Sequence, residues 1–256
     1  MISDLALLGR QVAADNKAAR REPALVFFGL AFPILLLVIF ATLNKDAHVD
    51  RLGGLLYTQY YVPEIVALSV MNACFANLSI VLCFRREAGE LKRVRATPLP
   101  PRIFMESQII TALVASTGLV AVTMGAGRIF YDVSFPGRYA ALLLTLLCGA
   151  VAFCSLGIAV AGLVPSAEVS PAVANIILFP LSFISGTFTV VPQGSVLAKI
   201  AAVFPVRHFN EAVFAAFDPR RSGAQIAWDH LAVLVAWGAF GLVIALRYFR
   251  WEPQRG

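Results

Sequence analysis

The sequence predicts an all-α integral membrane protein with six transmembrane helices. Three observations predict it. Hydrophobic residues make up 59% of the 256-residue chain and charged residues only 14%, where soluble domains carry roughly 25% charged residues. The apolar residues fall into six runs, each near the ~20 residues that cross ~30 Å of hydrocarbon. The net charge of +6 is clustered beside those runs, which is a membrane-topology pattern rather than a nucleic-acid one.

Residues 1–23 hold an amphipathic helix over Ser3–Arg21. Leu5, Leu8, Val12 and Ala19 supply its apolar side; Arg10, Asp15, Lys17, Arg20 and Arg21 supply its polar side. A basic helix just before a span can lie in the membrane interface; a solvated leader is the alternative. The first span, 24–43, carries Pro33 as a kink and is too long for a signal h-region, so no cleaved leader is expected. The second span is 62–84, and a charged cytoplasmic loop follows over 85–106. The third, fourth and fifth spans are 109–131, 139–164 and 171–186. An outer region, 187–227, is long and partly apolar; its stretch Ser195–Phe204 is too short to span. It suits a re-entrant hairpin, tolerated where protein covers its backbone. The sixth span is 228–248, and the whole of 1–256 reads as one transmembrane domain.

Lys and Arg set the orientation. Placing the N-terminus inside puts Arg10, Lys17, Arg20, Arg21, Arg85, Arg86, Lys92, Arg93, Arg95, Arg102, Arg247, Arg250 and Arg255 on the cytoplasmic side, which is most of the 21 basic residues. An even number of spans then brings the C-terminus inside as well.

The chain offers no catalytic residues. There is no G-x-x-x-x-G-K-[ST] phosphate loop and no H-E-x-x-H. Cys74, Cys83, Cys148 and Cys154 all lie in apolar stretches without a CxxC and read as buried small hydrophobes. His48, His208 and His230 fall in outer or boundary regions, so no metal site is expected.

The charged loop is patterned. Arg86 and Glu90 are four apart and pair if one helix carries both; Leu91 and Val94 form a small apolar stripe; Pro98 ends the helix. A stiff charged helix between two spans can pass force from a cytosolic partner, and an ordinary positive-inside loop would be equally basic. In the second span, Ser69, Asn72, Ala76 and Ser79 recur at spacings of three and four, with Asn77 off that stripe. Such a stripe is either packing within one subunit or a dimer seam and pathway wall. Glu64 sits about one turn inside the outer end, where it meets a cationic cargo, holds a gate, or rests in the headgroup layer. In the fifth span, Asn175, Phe179, Ser182 and Gly186 share a face, and Pro180 can bend the helix. Phe75, Phe179, Phe183 and Phe188 make a greasy cavity if they face inward.

Glu87-Ala88-Gly89-Glu90-Leu91-Lys92-Arg93-Val94-Arg95-Ala96-Thr97-Pro98-Leu99 resembles the loop after the second span in ABC-2 type permeases, the membrane subunits of type V ABC exporters. Phe183-Ile184-Ser185-Gly186-Thr187-Phe188, then Pro192, and Phe204-Pro205-Val206-Arg207-His208-Phe209-Asn210-Glu211-Ala212 resemble that family's fifth span and outer hairpin. The nearest likeness is to the daunorubicin-resistance type, and it covers the whole chain. The resemblance implies that Arg86, Glu87, Glu90, Lys92, Arg93, Arg95 and Pro98 belong to a coupling helix docked on a separate ABC ATPase, which binds ATP and Mg. It implies that the second and fifth spans line a path at the seam with a second permease copy, identical or sister. Phe188, Pro192 and Pro205 belong to an outer gate. The implied cargo is amphiphilic or hydrophobic, drug or lipid-like, exported across the cytoplasmic (inner) membrane of a bacterium. A polysaccharide or glycolipid exporter stays open, as does a stand-alone secondary transporter or channel, although a proton-coupled carrier needs deep acidic residues and only Glu64 comes close.

Overall fold

The computed structural model describes residues 4–19, 23–44, 47–49, 53–97, 99–188, 191–192, 194–218, 220 and 226–249, with side chains omitted at 19 and 23–30. The described chain is almost entirely helical. Helix α1 spans Asp4–Ala19, with Asp4 in its first turn and Lys17 in its last, the charge order that suits the helix dipole. Helix α2 spans Pro23–Leu43. A short antiparallel pair, β1 (His48–Val49) and β2 (Leu55–Leu56), closes the connection to the next helix.

That helix is the centre of the molecule. Helix α3 (Tyr57–Met71), a π-helical stretch (Asn72–Asn77) and α4 (Leu78–Glu87) run on without a break. Every residue from Thr58 to Met71 is buried. The short helix α5 (Glu90–Arg95) follows, then α6 (Pro101–Tyr131), α7 (Tyr139–Leu163), α8 (Ser170–Ile184), α9 (Val196–Ala201), α10 (Pro205–Phe217) and α11 (Trp228–Tyr248). Proline in the first turn starts α6, α8 and α10, where its missing N–H would have no partner anyway. Ser195 caps α9 by accepting from the Ala198 amide at 3.1 Å.

Among the described residues, four helices are long and apolar enough to cross a membrane: Tyr57–Glu87, Pro101–Tyr131, Tyr139–Leu163 and Trp228–Tyr248. Ala31–Leu43 and Ser170–Ile184 are shorter apolar helices. The outward sides of α7 and α11 expose Leu143, Leu147, Val151, Val235, Leu242 and Leu246. Water would not tolerate such a surface; lipid does. The chain is therefore a multi-pass membrane protein.

The ends of the helices differ from the expected spans. The central helix begins at Tyr57, not near Val62, because the mixed polar and aromatic run Tyr57–Tyr61 is helical and is buried from Thr58 on. Helix α6 begins at Pro101, about two turns before the apolar run at Ile109. At 15 residues, α8 is only about 22 Å long. The turn after it, Ser185–Phe188, is buried irregular backbone. The protein covers it: the Thr187 amide donates to the Ser182 carbonyl at 3.1 Å, and the Tyr60 hydroxyl donates to the Gly186 carbonyl at 2.7 Å.

The π-helical stretch changes which residues share a face. It holds one residue more than an α-helix would in the same turns, so the phase slips. Ser69 and Ser79 are fully buried, while Asn72 and Asn77 are both half-exposed. The expected Ser69/Asn72/Ala76/Ser79 stripe is thus broken, and Asn77 joins Asn72 instead of standing apart. Gly157 of α7 lies directly against this stretch: a Cβ there would meet the Phe75 carbonyl oxygen at 2.8 Å and that of Cys74 at 3.0 Å. These obstacles are backbone and cannot rotate aside. Gly157→Ala is expected to destabilise the fold by about 1–3 kcal/mol. Thermal melting in detergent checks it, with Gly118→Ala, which meets nothing within 4 Å, as the neutral comparison.

Candidate coupling region and a polar cluster at the start of the central helix

The C-terminal end of the central helix is anchored by consecutive charged residues pointing three ways. Arg86 is 1% exposed. It donates to the Ala161 carbonyl at 2.8 Å and the Val164 carbonyl at 2.6 Å, capping the C-terminus of α7. A cation there satisfies orphan carbonyls and meets the negative end of the helix dipole. Glu87 accepts from the Ala167 amide at 2.5 Å in the turn before α8. Arg85 donates to Asp15 of α1 at 2.8 Å and lies 3.8 Å from Glu90 of α5.

The expected Arg86–Glu90 pair is therefore replaced by Arg85–Glu90. The reason is Gly89, at φ +71°. That left-handed residue ends one helix and turns the chain into the next, so positions 86 and 90 are not on one helical face. Arg86 accordingly leaves the set available to a docking partner. Leu91 is fully buried and Val94 packs beside the core, which seats α5 against the spans. Lys92, Arg93 and Arg95 are exposed. Arg93 bonds back to the Ala88 carbonyl at 3.0 Å; Lys92 and Arg95 have no ion pair or hydrogen bond among the described residues. Pro98 lies outside the described residues.

Asp15 is the residue that sequence reasoning placed wrongly. It is 4% exposed, not on a solvated side. It accepts from Arg85, from the Ser107 hydroxyl and from the Gln108 amide, each at 2.8 Å, and from Gln11 at 3.3 Å. Leu5, assigned to the apolar side, is exposed in the folded chain. One carboxylate thus gathers α1, α4 and α6 beside the coupling segment. The only sequence signal was Ser107-Gln108, two polar residues at the start of an apolar run.

The N-terminal end of the central helix holds a second group. Glu64 is 3% exposed, enclosed by protein. With the helix starting at Tyr57, it lies about two turns in, on the Tyr60 side of α3. Aromatic rings surround this end: Tyr57 stacks on Tyr61 with centroids 5.5 Å apart, Phe40 meets Tyr61 at 5.3 Å, and Tyr60 meets Phe214 at 5.5 Å. Phe188 is buried against Phe183 at 4.5 Å. Asn210 donates to Thr187 at 2.7 Å.

The remaining site expectations divide. In α8 the buried line is Ser170, Ala174, Leu178 and Ser182; Asn175 and Phe179 flank it, and Phe179 touches Phe32 edge-on at 5.5 Å. Phe75 and Ala76 are buried inside the chain, so Phe75 does not line an open cavity with Phe183, which is exposed. Gly186 is buried, Pro192 is exposed, and Pro205 is buried at the start of α10. His208 and His230 meet Nδ1 to Nδ1 at 2.9 Å, with Glu211 3.4 Å from His230 and paired to Arg207 at 2.7 Å. Among the described residues, no group of three His, Cys, Asp or Glu side chains is placed to hold a metal.

Comparison with known proteins agrees with this architecture. A family model described as "ABC-2 type transporter" matches residues 7–217. The protein named "Putative transport permease YvfS" of Bacillus subtilis is 25% identical over 252 residues, covering 97% of this chain and 98% of its own length. "Probable multidrug ABC transporter permease YbhR" of Escherichia coli is 20% identical over 176 residues; the match covers 68% of this chain and 48% of that protein.

Proposed function

The chain belongs to the ABC-2 type transporter family, and from that premise we propose that it is the permease subunit of an ATP-driven exporter for amphiphilic or lipid-like compounds. The observation that carries this reading is the mounting of α5. Its exposed face is basic, and its base is tied into the spans through Arg85, Arg86 and Glu87. A push on such a helix moves α4, α7 and the start of α8 together. ATP binding and hydrolysis, with Mg, occur in a separate ABC ATPase docked there. The chain supplies transport, not the ATPase.

The membrane half is a pair of such chains, identical or sister. Asn72 and Asn77 are polar, half-exposed and set in an apolar helix, an arrangement that favours cover by another helix over contact with lipid. The exposed Ile176 and Phe183 of α8 add apolar surface for the same contact. Six spans, with both termini and α5 cytoplasmic in a bacterial inner membrane, place α9 and α10 on the outer side as the gate region with Phe188, Pro192 and Pro205. The name of the Escherichia coli relative supports a drug-like cargo.

Mild-detergent purification of the tagged chain from its native cells tests the reading. A stoichiometric partner bearing a phosphate-loop ATPase motif is expected, read by mass spectrometry. Repeated recovery of the chain alone, while known complexes survive the same detergent, would overturn it.

A further inference from the structure

Near the outer end of the central helix, four buried side chains carry oxygen atoms with no partner among the described residues: Tyr61 Oη, Glu64 Oε2, Ser185 Oγ and Asn210 Oδ1. Their residues are all under one-tenth exposed. They lie on three segments that meet: α3, the Ser185–Phe188 turn and α10. Tyr60, one turn before Glu64, bonds to Gly186, the neighbour of Ser185. Asn210 uses its amide nitrogen on Thr187, the next residue along, and leaves its oxygen free. Buried polar atoms normally find partners, and a cluster without them needs an explanation. A carboxylate at this depth needs a cation or a donor most of all.

The chemistry of the orphans specifies the missing partner. All four are oxygens. The Asn210 oxygen only accepts, an ionised carboxylate only accepts, and the two hydroxyls can accept. An anion would find no donor except those hydroxyls and would be repelled. A protonated amine offers several N–H donors and a positive charge, and the rings of Tyr57, Tyr60 and Tyr61 add faces that favour a cation. We propose that Tyr61, Glu64, Ser185 and Asn210 form the recognition site for the protonated primary or secondary amine of an amphiphilic ligand. The proposal rests on the exporter reading for the ligand's role as cargo, but not for its binding. The ligand enters when the Ser185–Phe188 turn separates from α3.

The test is direct binding to the purified chain in phosphatidylcholine nanodiscs, read as ligand-induced thermal stabilisation. The probes are dodecylamine, dodecyltrimethylammonium, dodecanol and dodecanoate. Dodecylamine is expected to bind best, and Glu64→Gln is expected to weaken it about tenfold or more, the scale of a charge-assisted hydrogen bond. The trimethylated probe, with no N–H, is expected to bind less well than the amine. Asn210→Leu, which removes the acceptor at a second position, serves if Glu64→Gln does not fold. Equal binding of dodecanol or dodecanoate, or undiminished amine binding in the folded variant, would overturn the proposal. Amine binding without any co-purifying ATPase would overturn the exporter reading alone; an ATPase complex that binds no amine would overturn this proposal alone.

Discussion

Replacing Asp15 with alanine is expected to destabilise the purified chain by about 3 kcal/mol and to loosen α1 from the bundle. The carboxylate is buried and receives three bonds of 2.8 Å, one from Arg85 of α4 and two from adjacent residues of α6. Removing it strands the Arg85 guanidinium, which is largely buried and then keeps only the longer contact to Glu90. It also leaves Ser107 and Gln108 with donors beside a hole. Breaking a buried ion pair from one side costs more than the pair contributes when intact, because the surviving charge stays desolvated. Asp15→Asn keeps shape and one acceptor, so its loss should be smaller. Melting in detergent gives the ranking wild type, Asn, Ala; hydrogen exchange over α1 should show faster opening in the same order. An alanine variant that melts with the wild type would mean that α1 is held by its apolar contacts alone.

Reversing Lys92 and Arg95 together is expected to abolish retention of the ATPase and ATP-driven transport, while the chain itself folds normally. Both side chains are exposed. Neither is used inside the chain among the described residues, so folding should change by less than about 0.5 kcal/mol. Opposed charges at a docking surface are costly to reverse, and binding to the partner should weaken by about tenfold or more. Glu90 and Arg93 are poorer probes, since Glu90 faces Arg85 and Arg93 bonds to Ala88. Reversal there would mix lost docking with a disturbed helix. Pull-down of the ATPase with the double variant, beside a melting curve, separates the two. Full retention would remove α5 from the contact.

The sequence was most readable where lipid imposes a simple rule. Hydropathy located the long apolar helices because a span must be apolar along its length. Their ends were less readable: hydropathy started the third span at Ile109, whereas α6 begins at Pro101. What stayed hidden depended on partners distant in the chain. Asp15 sits among Arg10, Lys17 and other polar residues, so local pattern made it a solvated acid; its partners lie 70 to 93 residues away. Arg85 and Arg86 are adjacent and chemically identical, and only the turn at Gly89 decides which one faces Glu90. The depth of Glu64 was obscured because the tyrosines before it look like an interfacial loop until α10 and the turn after α8 cover them. The phase of the central helix was unreadable because a rule of 3.6 residues per turn cannot see an extra residue.

That extra residue has a consequence for comparing this chain with others. In an α-helix each residue advances the azimuth by about 100°. Because the wide turn at Asn72–Asn77 absorbs its extra residue, removing one residue there would restore an α-helix and leave both halves in place, with Ser79, Leu82, Cys83 and Arg86 still on their present sides and Arg86 still at the α7 carbonyls. A relative whose helix lacks the insertion must therefore be aligned with a gap here. An ungapped alignment would match side chains on one side of Asn77 and mismatch every one on the other.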